Sequence, residues 1–319
     1  MIYDMKRVIT YLQFQQFLDT FPAAAHEFLK TIPQIGGVLA GVHCLAVMDI
    51  LKISVTDLML RLLPAARQYS RAIISDFQVG AVAKARMTNN ASASEFSLFL
   101  GANIEFPAQA LTQTIHAEQS AVINAWLQGA KQIDDVAVSA VPCGCCRQFL
   151  FELEGSQNLS IFTHNPIDGQ STHNNLSDLL PTAFGPRELG SATGLMASVR
   201  QPADFDLKHP SNDPFVLEAE AAAKKSYAPY SRNFAGCAIK SADGKTYAGR
   251  YAENAAFNPS LSALHTAIIS MILDQPGTVN CITRAVLVER PTSTSQRAVC
   301  ELLLQTVAPN VYMEYFEAH

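Results

Sequence analysis

Thr114-Ile115-His116-Ala117-Glu118-Gln119-Ser120, followed by Pro142-Cys143-Gly144-Cys145-Cys146-Arg147-Gln148-Phe149, is the part of the sequence that decides both the fold and the chemistry. It offers three soft or borderline metal ligands, His116, Cys143 and Cys146, and one carboxylate, Glu118, that is not needed as a fourth. Structural zinc is usually closed by four Cys or His ligands, whereas catalytic zinc takes three and leaves a position for water. The count therefore predicts a catalytic site holding one Zn2+ per chain, with Glu118 beside it as general acid and base. Such a zinc lowers the pKa of water to about 7, and a positioned carboxylate carries the protons.

Order and spacing sharpen this expectation. A lone C-x-x-C is shared by redox motifs and structural zinc sites. His-x-Glu joined to a later Pro-Cys-x-x-Cys is the pattern of zinc-dependent nucleoside and nucleobase deaminases. The run 116–129 reads as a helix with Ala117, Ala121, Val122, Ala125 and Trp126 on its buried side and Gly129 as its stop. A short buried strand over 133–141 follows, and Pro142 is expected in the first turn of a helix reaching 153. Two helix starts then converge on one ion, one giving nitrogen and the other sulfur, and a βαβ arrangement brings them together. The dipole at the second start favours thiolate.

Outward from this stretch the chain divides. Residues 1–59 read as helical, with Val8, Leu12, Phe14, Phe17 and Leu18 recurring at helical spacing and Pro22 and Pro33 as punctuation. Ser54 opens a further helix whose apolar face, Leu58 to Leu63, runs up to Pro64. His26 and His43 lack ligand-spaced partners and read as ordinary histidines. Residues 77–83 and 96–100 form an expected hairpin around a loose loop at 88–94. With the motif they make a catalytic unit over 60–165. Residues 166–212 read as a polar connector, preceded by a strand at 159–162.

Residues 213–319 repeat the plan. Tyr230 to Ala238 echoes the 77–83 strand, Asp243-Gly244 marks a hairpin turn, and Tyr251-Ala252-Glu253-Asn254 echoes Asn103-Ile104-Glu105. Ser262-Ala263-Leu264 stands where His116-Ala117-Glu118 would, and Pro291-Thr292-Ser293-Thr294-Ser295-Gln296 follows an expected strand at 285–288. Every ligand and the acid are missing from this copy, and His265 alone does not restore them.

Gly101-Ala102-Asn103-Ile104-Glu105, the run from His116 to Trp126, and Pro142 to Phe149 closely resemble the long, two-domain, dimeric class of the cytidine deaminase family, over most of the chain. The resemblance implies two three-layer α/β/α domains with mixed β-sheets, the second degenerate, preceded by a small helical arm. It implies zinc-dependent hydrolytic deamination of cytidine and 2′-deoxycytidine to the uridines plus ammonia, in pyrimidine salvage, by a homodimer. Asn103 and Glu105 are then expected on the ribose, chiefly its 3′ side, with Phe77 near the base and Ala117 at the substrate. Phe184, within Leu180-Pro181-Thr182-Ala183-Phe184-Gly185-Pro186, is expected to reach the partner subunit's base. From the residues alone, Asn103 reads as a turn residue, Glu105 as a solvated charge, Phe77 equally well as core, and Phe184 as a plug within its own subunit. Arg147 is placed either as a donor to a ligand thiolate or in a surface salt bridge; Cys145 has no assigned role, and Ala140 leaves the pocket wall open.

Composition bounds the rivals. The chain has 319 residues, enough for two domains, and 49% hydrophobic residues can fill two cores. A net charge of −5, with Lys224-Lys225 as the one basic run, argues against a nucleic-acid substrate. The acidic balance and the implied sugar-reading pair favour a free nucleoside over a base or nucleotide. A zinc-stabilised scaffold, the non-enzymatic alternative, has no need of Glu118. Cys44, Cys237, Cys281 and Cys300 lie in apolar surroundings and are expected as buried thiols in a reducing compartment. The apolar run 38–48 contains His43 and is too short to span a bilayer, and no secretory pattern begins the chain. The expectation is a cytoplasmic protein with no membrane partner, in which the sequons at Asn90, Asn158 and Asn175 are chance matches.

Overall fold

The structure, a computed structural model, describes residues 11–88, 95–165, 169–198 and 201–319. The expectations at Val8, at the start of the chain and at Asn90 and most of its loop fall outside them. Helices α1 (Tyr11–Leu18), α2 (Ala23–Leu29) and α3 (Thr31–Gln34), strand β1 (Val38–Leu39) and helix α4 (Gly41–Leu51) lead into α5 (Val55–Arg67). The motif-bearing part holds β2 (Gly80–Arg86), β3 (Phe96–Ala102), α6 (Ala117–Leu127), β4 (Gln132–Val138), α7 (Gly144–Phe151), β5 (Ser160–His164), β6 (Ser171–Asn175) and α8 (Leu176–Leu179). The remainder holds α9 (Pro214–Lys224), β7 (Ala235–Ser241), β8 (Thr246–Arg250), α10 (Ala263–Asp274), β9 (Ile282–Glu289), α11 (Arg297–Val307) and β10 (Met313–Glu317).

Two mixed sheets result. The first has the order β1-β3-β2-β4-β5-β6 and the second β10-β9-β7-β8, so β8-β7-β9-β10 repeats β3-β2-β4-β5. In each, two hairpin strands pair antiparallel, the third is antiparallel to the inner one, and the fourth is parallel to the third. The register shift between Lys84 and Ala85 on β2 recurs between Lys240 and Ser241 on β7. Helix approach repeats as well. A Cβ on Gly101 of β3 would lie 2.1 Å from the Ala121 nitrogen of α6, and one on Gly249 of β8 would lie 2.2 Å from the Ala267 nitrogen of α10. Backbone contacts this close set each helix directly on its sheet.

Several elements differ from the sequence reading for definite reasons. Asp76 and Arg232 adopt left-handed φ of 57° at matching places, which interrupts the extended run and starts β2 at Gly80 and β7 at Ala235. Pro64 lies inside α5, since the helix buries Leu58, Met59, Leu62 and Leu63 before it and Ala65 and Ala66 after it; that burial outweighs the roughly 3 kcal/mol proline penalty. Ser54 and Asp57 cap α5 reciprocally, and position 60 falls within the helix. Pro142 precedes α7 rather than entering it, because Cys143 is the cap. Within 166–212, β6 extends the first sheet. Cys281 is exposed, against expectation, because it stands at the turn entering β9. His26 bonds the Phe21 carbonyl and His43 the Thr31 hydroxyl, as ordinary histidines do.

The two copies grip each other through the starts of α6 and α10. Gln119 accepts the His116 N–H and donates to the Pro259 carbonyl. His265 accepts the Ser262 N–H at Nδ1 and donates from Nε2 to the Gln113 carbonyl. Asn254 bonds the Gln148 carbonyl, and the buried Glu152 carboxylate accepts from Tyr227, Tyr230 and the Ala255 N–H. Arg250 stacks on Trp126 at 3.9 Å and also bonds its carbonyl.

Gly101→Ala is expected to destabilise the fold by about 3 kcal/mol or more, since the obstacle is helix backbone and not a flexible side chain; chemical denaturation measures it, and a loss under 1 kcal/mol would contradict the packing. His265 is buried against Ser262, Gln113 and the Phe106 ring, and burial lowers its pKa to about 4. The unfolded chain, with an ordinary histidine near 6.5, binds the proton first as pH falls. Stability is therefore whole above pH 6.5 and drops by roughly 3 kcal/mol on the way to pH 4. Denaturation of wild type and His265→Gln across this range should show a shallower acid slope in the variant; parallel slopes would contradict it.

Candidate active site

Two helix starts carry the three predicted ligands. His116 is the residue before α6, Cys143 the residue before α7, and Cys146 lies in the first turn of α7. The Cys143 sulfur accepts the Cys146 backbone N–H, so the cap that starts α7 also fixes the ligand. Cys143 Sγ is 3.5 Å from His116 Nδ1 and 3.6 Å from Cys146 Sγ. All three donor atoms lie within 4.8 Å of one another, and among the described residues this is the one such His/Cys/Asp/Glu cluster. Ligands at 2.3 Å (sulfur) and 2.0–2.1 Å (nitrogen) from a tetrahedral zinc stand roughly 3.5–3.8 Å apart. The donor set and its spacing fit zinc.

The local electrostatics favour a ligating thiolate. Hydrogen bonds from the Cys146 thiol and from His116 pull the Cys143 pKa down to about 3. The same pairing pushes Cys146 well up and raises His116. Glu118, one residue into α6 from the ligand histidine's neighbour, is 4% exposed, and burial raises its carboxyl above the usual range. A carboxyl whose burial strengthens its hold on a proton, set beside three metal donors, is equipped for proton transfer.

Glu118 and two of the donors, His116 and Cys143, open onto a cavity of about 280 Å³. The expected substrate residues Phe77, Asn103, Glu105 and Ala117 line it too. Asn103 Oδ1 accepts from Ser70 and Val79, and its Nδ2 donates to the Phe77 carbonyl. Glu105 accepts from the Ile74 and Ser75 N–H groups and from the Ser75 hydroxyl. Asn103 is more than the turn residue, and Glu105 is not the solvated charge, that the residues alone suggest: both are buried and hold the 70–79 loop in place. Phe77 is 58% exposed at the mouth and is not core. Ala140 and Val141 form part of the wall, and Ser75 and Thr114 join it unannounced by any motif. A larger cavity of about 610 Å³ shares His116 and Thr114 but contains neither Glu118 nor Cys143; Cys145 faces this second space.

Phe184 does not line its own chain's cavity. Its ring is 45% exposed while its carbonyl accepts from Gln148, so it does not plug its own subunit. Arg147 meets neither expectation. It donates to the carbonyls of Pro142 and Leu179, tying the start of α7 to α8, rather than to a ligand thiolate or a surface carboxylate among the described residues.

At the matching place in the second copy stands a buried hydrogen-bonded cluster. Glu289, the last residue of β9, stands by register where Ala140 does, and its buried carboxylate accepts from Asn233, Ser295, Gln296 and Tyr315. Asn233 occupies the position of Phe77, and its N–H is held by Ser231 as that of Phe77 is held by Ser75. The loop survives in the second copy after the ligands are gone.

Comparison with known proteins agrees with this arrangement. Two family models, each described as cytidine and deoxycytidylate deaminase zinc-binding region, match residues 54–162 and 176–300. The cytidine deaminase of Photorhabdus laumondii is 43% identical over 255 residues, covering 80% of this chain and 81% of that protein. That of Haemophilus influenzae is 41% identical over 259 residues, covering 81% and 82%. A solved cytidine deaminase from Burkholderia pseudomallei is 29% identical and aligns with 40% of this chain and 98% of its own, at a TM-score of 0.34. Fold and site thus define a zinc-dependent hydrolytic deaminase with one degenerate copy of its domain. The chain belongs to the cytidine deaminase family.

Because α6 and α7 are anchored by packing and caps independent of an ion, stripping zinc is expected to abolish turnover while leaving far-ultraviolet circular dichroism unchanged. Unfolding on chelation would make the metal structural instead.

Proposed function

We propose that this chain converts cytidine and 2′-deoxycytidine to uridine and 2′-deoxyuridine with release of ammonia, in pyrimidine salvage. The observation that carries this reading is the composition of one small cavity. Glu118 and two of the zinc donors, His116 and Cys143, border it, Asn103 and Glu105 border it as well, and among the described residues no Lys or Arg does. A cavity whose described lining has no basic side chain suits a neutral nucleoside better than a nucleotide, whose phosphate would find no Lys or Arg.

In this reading His116, Cys143 and Cys146 hold one zinc. When bound, it supplies the Lewis acidity that makes water nucleophilic near neutral pH. Water adds its oxygen to C4 of the pyrimidine, Glu118 takes the water's proton, and N3 receives it. Glu118 then carries the second proton to the C4 amine; the C4–N bond breaks and ammonia leaves. One amide N–H of Asn103 and one lone pair of Glu105 Oε1 stay available, after their loop bonds, for the ribose hydroxyls. Phe77 packs against the base and Ala117 lies at its edge.

The working unit is a homodimer. Phe77 and Val141, 58% and 74% exposed, leave an apolar rim at the mouth. Phe184, exposed and outside its own cavity, is the residue supplied to the partner's base. The chain divides into an arm over 1–59, a catalytic unit over 60–165 that begins within α5, a connector over 166–212 and a non-catalytic copy over 213–319. Its thiol chemistry suits the reducing cytoplasm. No described helix is long and apolar enough to cross a membrane.

Glu118→Gln should lower kcat by about 10²–10⁴-fold with zinc content unchanged; near-normal turnover would remove Glu118 from the mechanism. Steady-state comparison of cytidine, 2′-deoxycytidine, cytosine and CMP should place both nucleosides at least about 10²-fold above the base and the nucleotide in kcat/KM. Preference for CMP or cytosine would overturn the substrate assignment.

A further inference from the structure

We infer that the copy without metal ligands positions the metal-binding segment of the other, through Gln119 and His265, so that both are positioning residues for the zinc site. This rests on His116 being a ligand, as proposed above.

The two side chains stand at equivalent places, third residue of α6 and third of α10, and their outward bonds are reciprocal. Gln119 spends its oxygen on the backbone N–H of His116 and its nitrogen on the carbonyl of Pro259. Its partners are one donor and one acceptor, which leaves a single amide orientation. His265 holds the start of its own helix at Ser262 and reaches back to the carbonyl of Gln113. Pro259 and Gln113 precede their helices by the same interval, so each helix start clasps the loop that enters the other; such mutual contact is the mark of a two-fold interface.

The two bonds differ in consequence. In the second copy they steady a helix whose start, Ser262-Ala263-Leu264, carries no metal ligand. In the first, His265 fixes residue 113 from the second copy, and Gln119, itself anchored on Pro259, fixes residue 116, on either side of Thr114 and Ile115, which run into the ligand. Gln119 is 2% exposed and His265 4%, so water does not compete for these bonds. The Pro259 loop is itself tied down: the Ser260 hydroxyl accepts the Asn254 N–H, and Asn254 donates to the Gln148 carbonyl on α7. The second copy therefore touches both helices that carry ligands. Residues that orient a metal ligand in this indirect way typically change metal affinity by 10–100-fold when removed.

The test measures zinc affinity by chelator competition on folded, full-length protein, together with kcat and KM for cytidine. Gln119→Leu and His265→Leu should each weaken zinc binding by at least about tenfold and lower kcat with KM little changed. His265→Gln, which keeps an acceptor and a donor, should restore affinity to within about twofold of wild type. Gln119→Glu keeps the cap bond to His116 and replaces only the donor to Pro259, so it serves if the leucine variant does not fold; it should also weaken zinc binding. Wild-type affinity in folded Gln119→Leu or Gln119→Glu, or equal affinities for His265→Leu and His265→Gln, would overturn the proposal, whatever their melting temperatures. His116→Ala separates the two readings. Loss of zinc there with unchanged affinity in the Gln119 and His265 variants defeats positioning alone, whereas retained zinc in His116→Ala defeats the ligand assignment.

Discussion

A tetrahedral ion demands that donors from two separate helices arrive at contact distances set by its own bond lengths, and the first sheet is arranged to meet that demand. Neither helix can slide. Backbone contact at Gly101 seats α6 on β3, and Asn124 bonds the Gly36 and Leu100 carbonyls, locking the same helix to the arm and to the strand. At α7, the cap bond that begins the helix ends on a ligand sulfur, and Arg147 ties the turn to neighbouring carbonyls. The ligands therefore occupy the ends of elements whose positions are fixed elsewhere, which is the general requirement for a site preorganised before its ion arrives.

Duplication makes the same framework available twice, with different contents. Strand order, register shift, left-handed turn and close glycine contact all repeat, so the scaffold does not depend on the metal. What changed is how the cavity is filled. A carboxylate at Glu289 placed in a buried space is costly unless its oxygens are satisfied, and Asn233, Ser295, Gln296 and Tyr315 satisfy them. The second copy thus replaced ligand chemistry by a closed hydrogen-bond cluster and kept its outer surface, which packs on the first.

Much of this was legible in the residues themselves. His116, Glu118, Cys143 and Cys146 declared a three-ligand site because residue type and spacing state coordination chemistry directly. The second copy was readable from Asp243-Gly244 and from the Glu253 echo. Other features were hidden for physical reasons. Asn103 and Glu105 look like turn and surface residues because polarity along the chain does not reveal which backbone groups will be buried beside them. Pro64 looks like a helix end because local propensity carries no information on the six buried side chains around it. Cys281 looked apolar by its neighbours and is exposed by its turn. Gln119 and His265 carried no signal at all, since each finds its partner well over a hundred positions away.

The central claim is most directly tested by X-ray absorption at the zinc edge on the isolated, full-length protein. One zinc per chain is predicted, with two sulfurs at about 2.3 Å, one nitrogen at about 2.0 Å and one oxygen completing a four-coordinate shell. A shell of four protein ligands, or protein that takes up no zinc, would contradict the account.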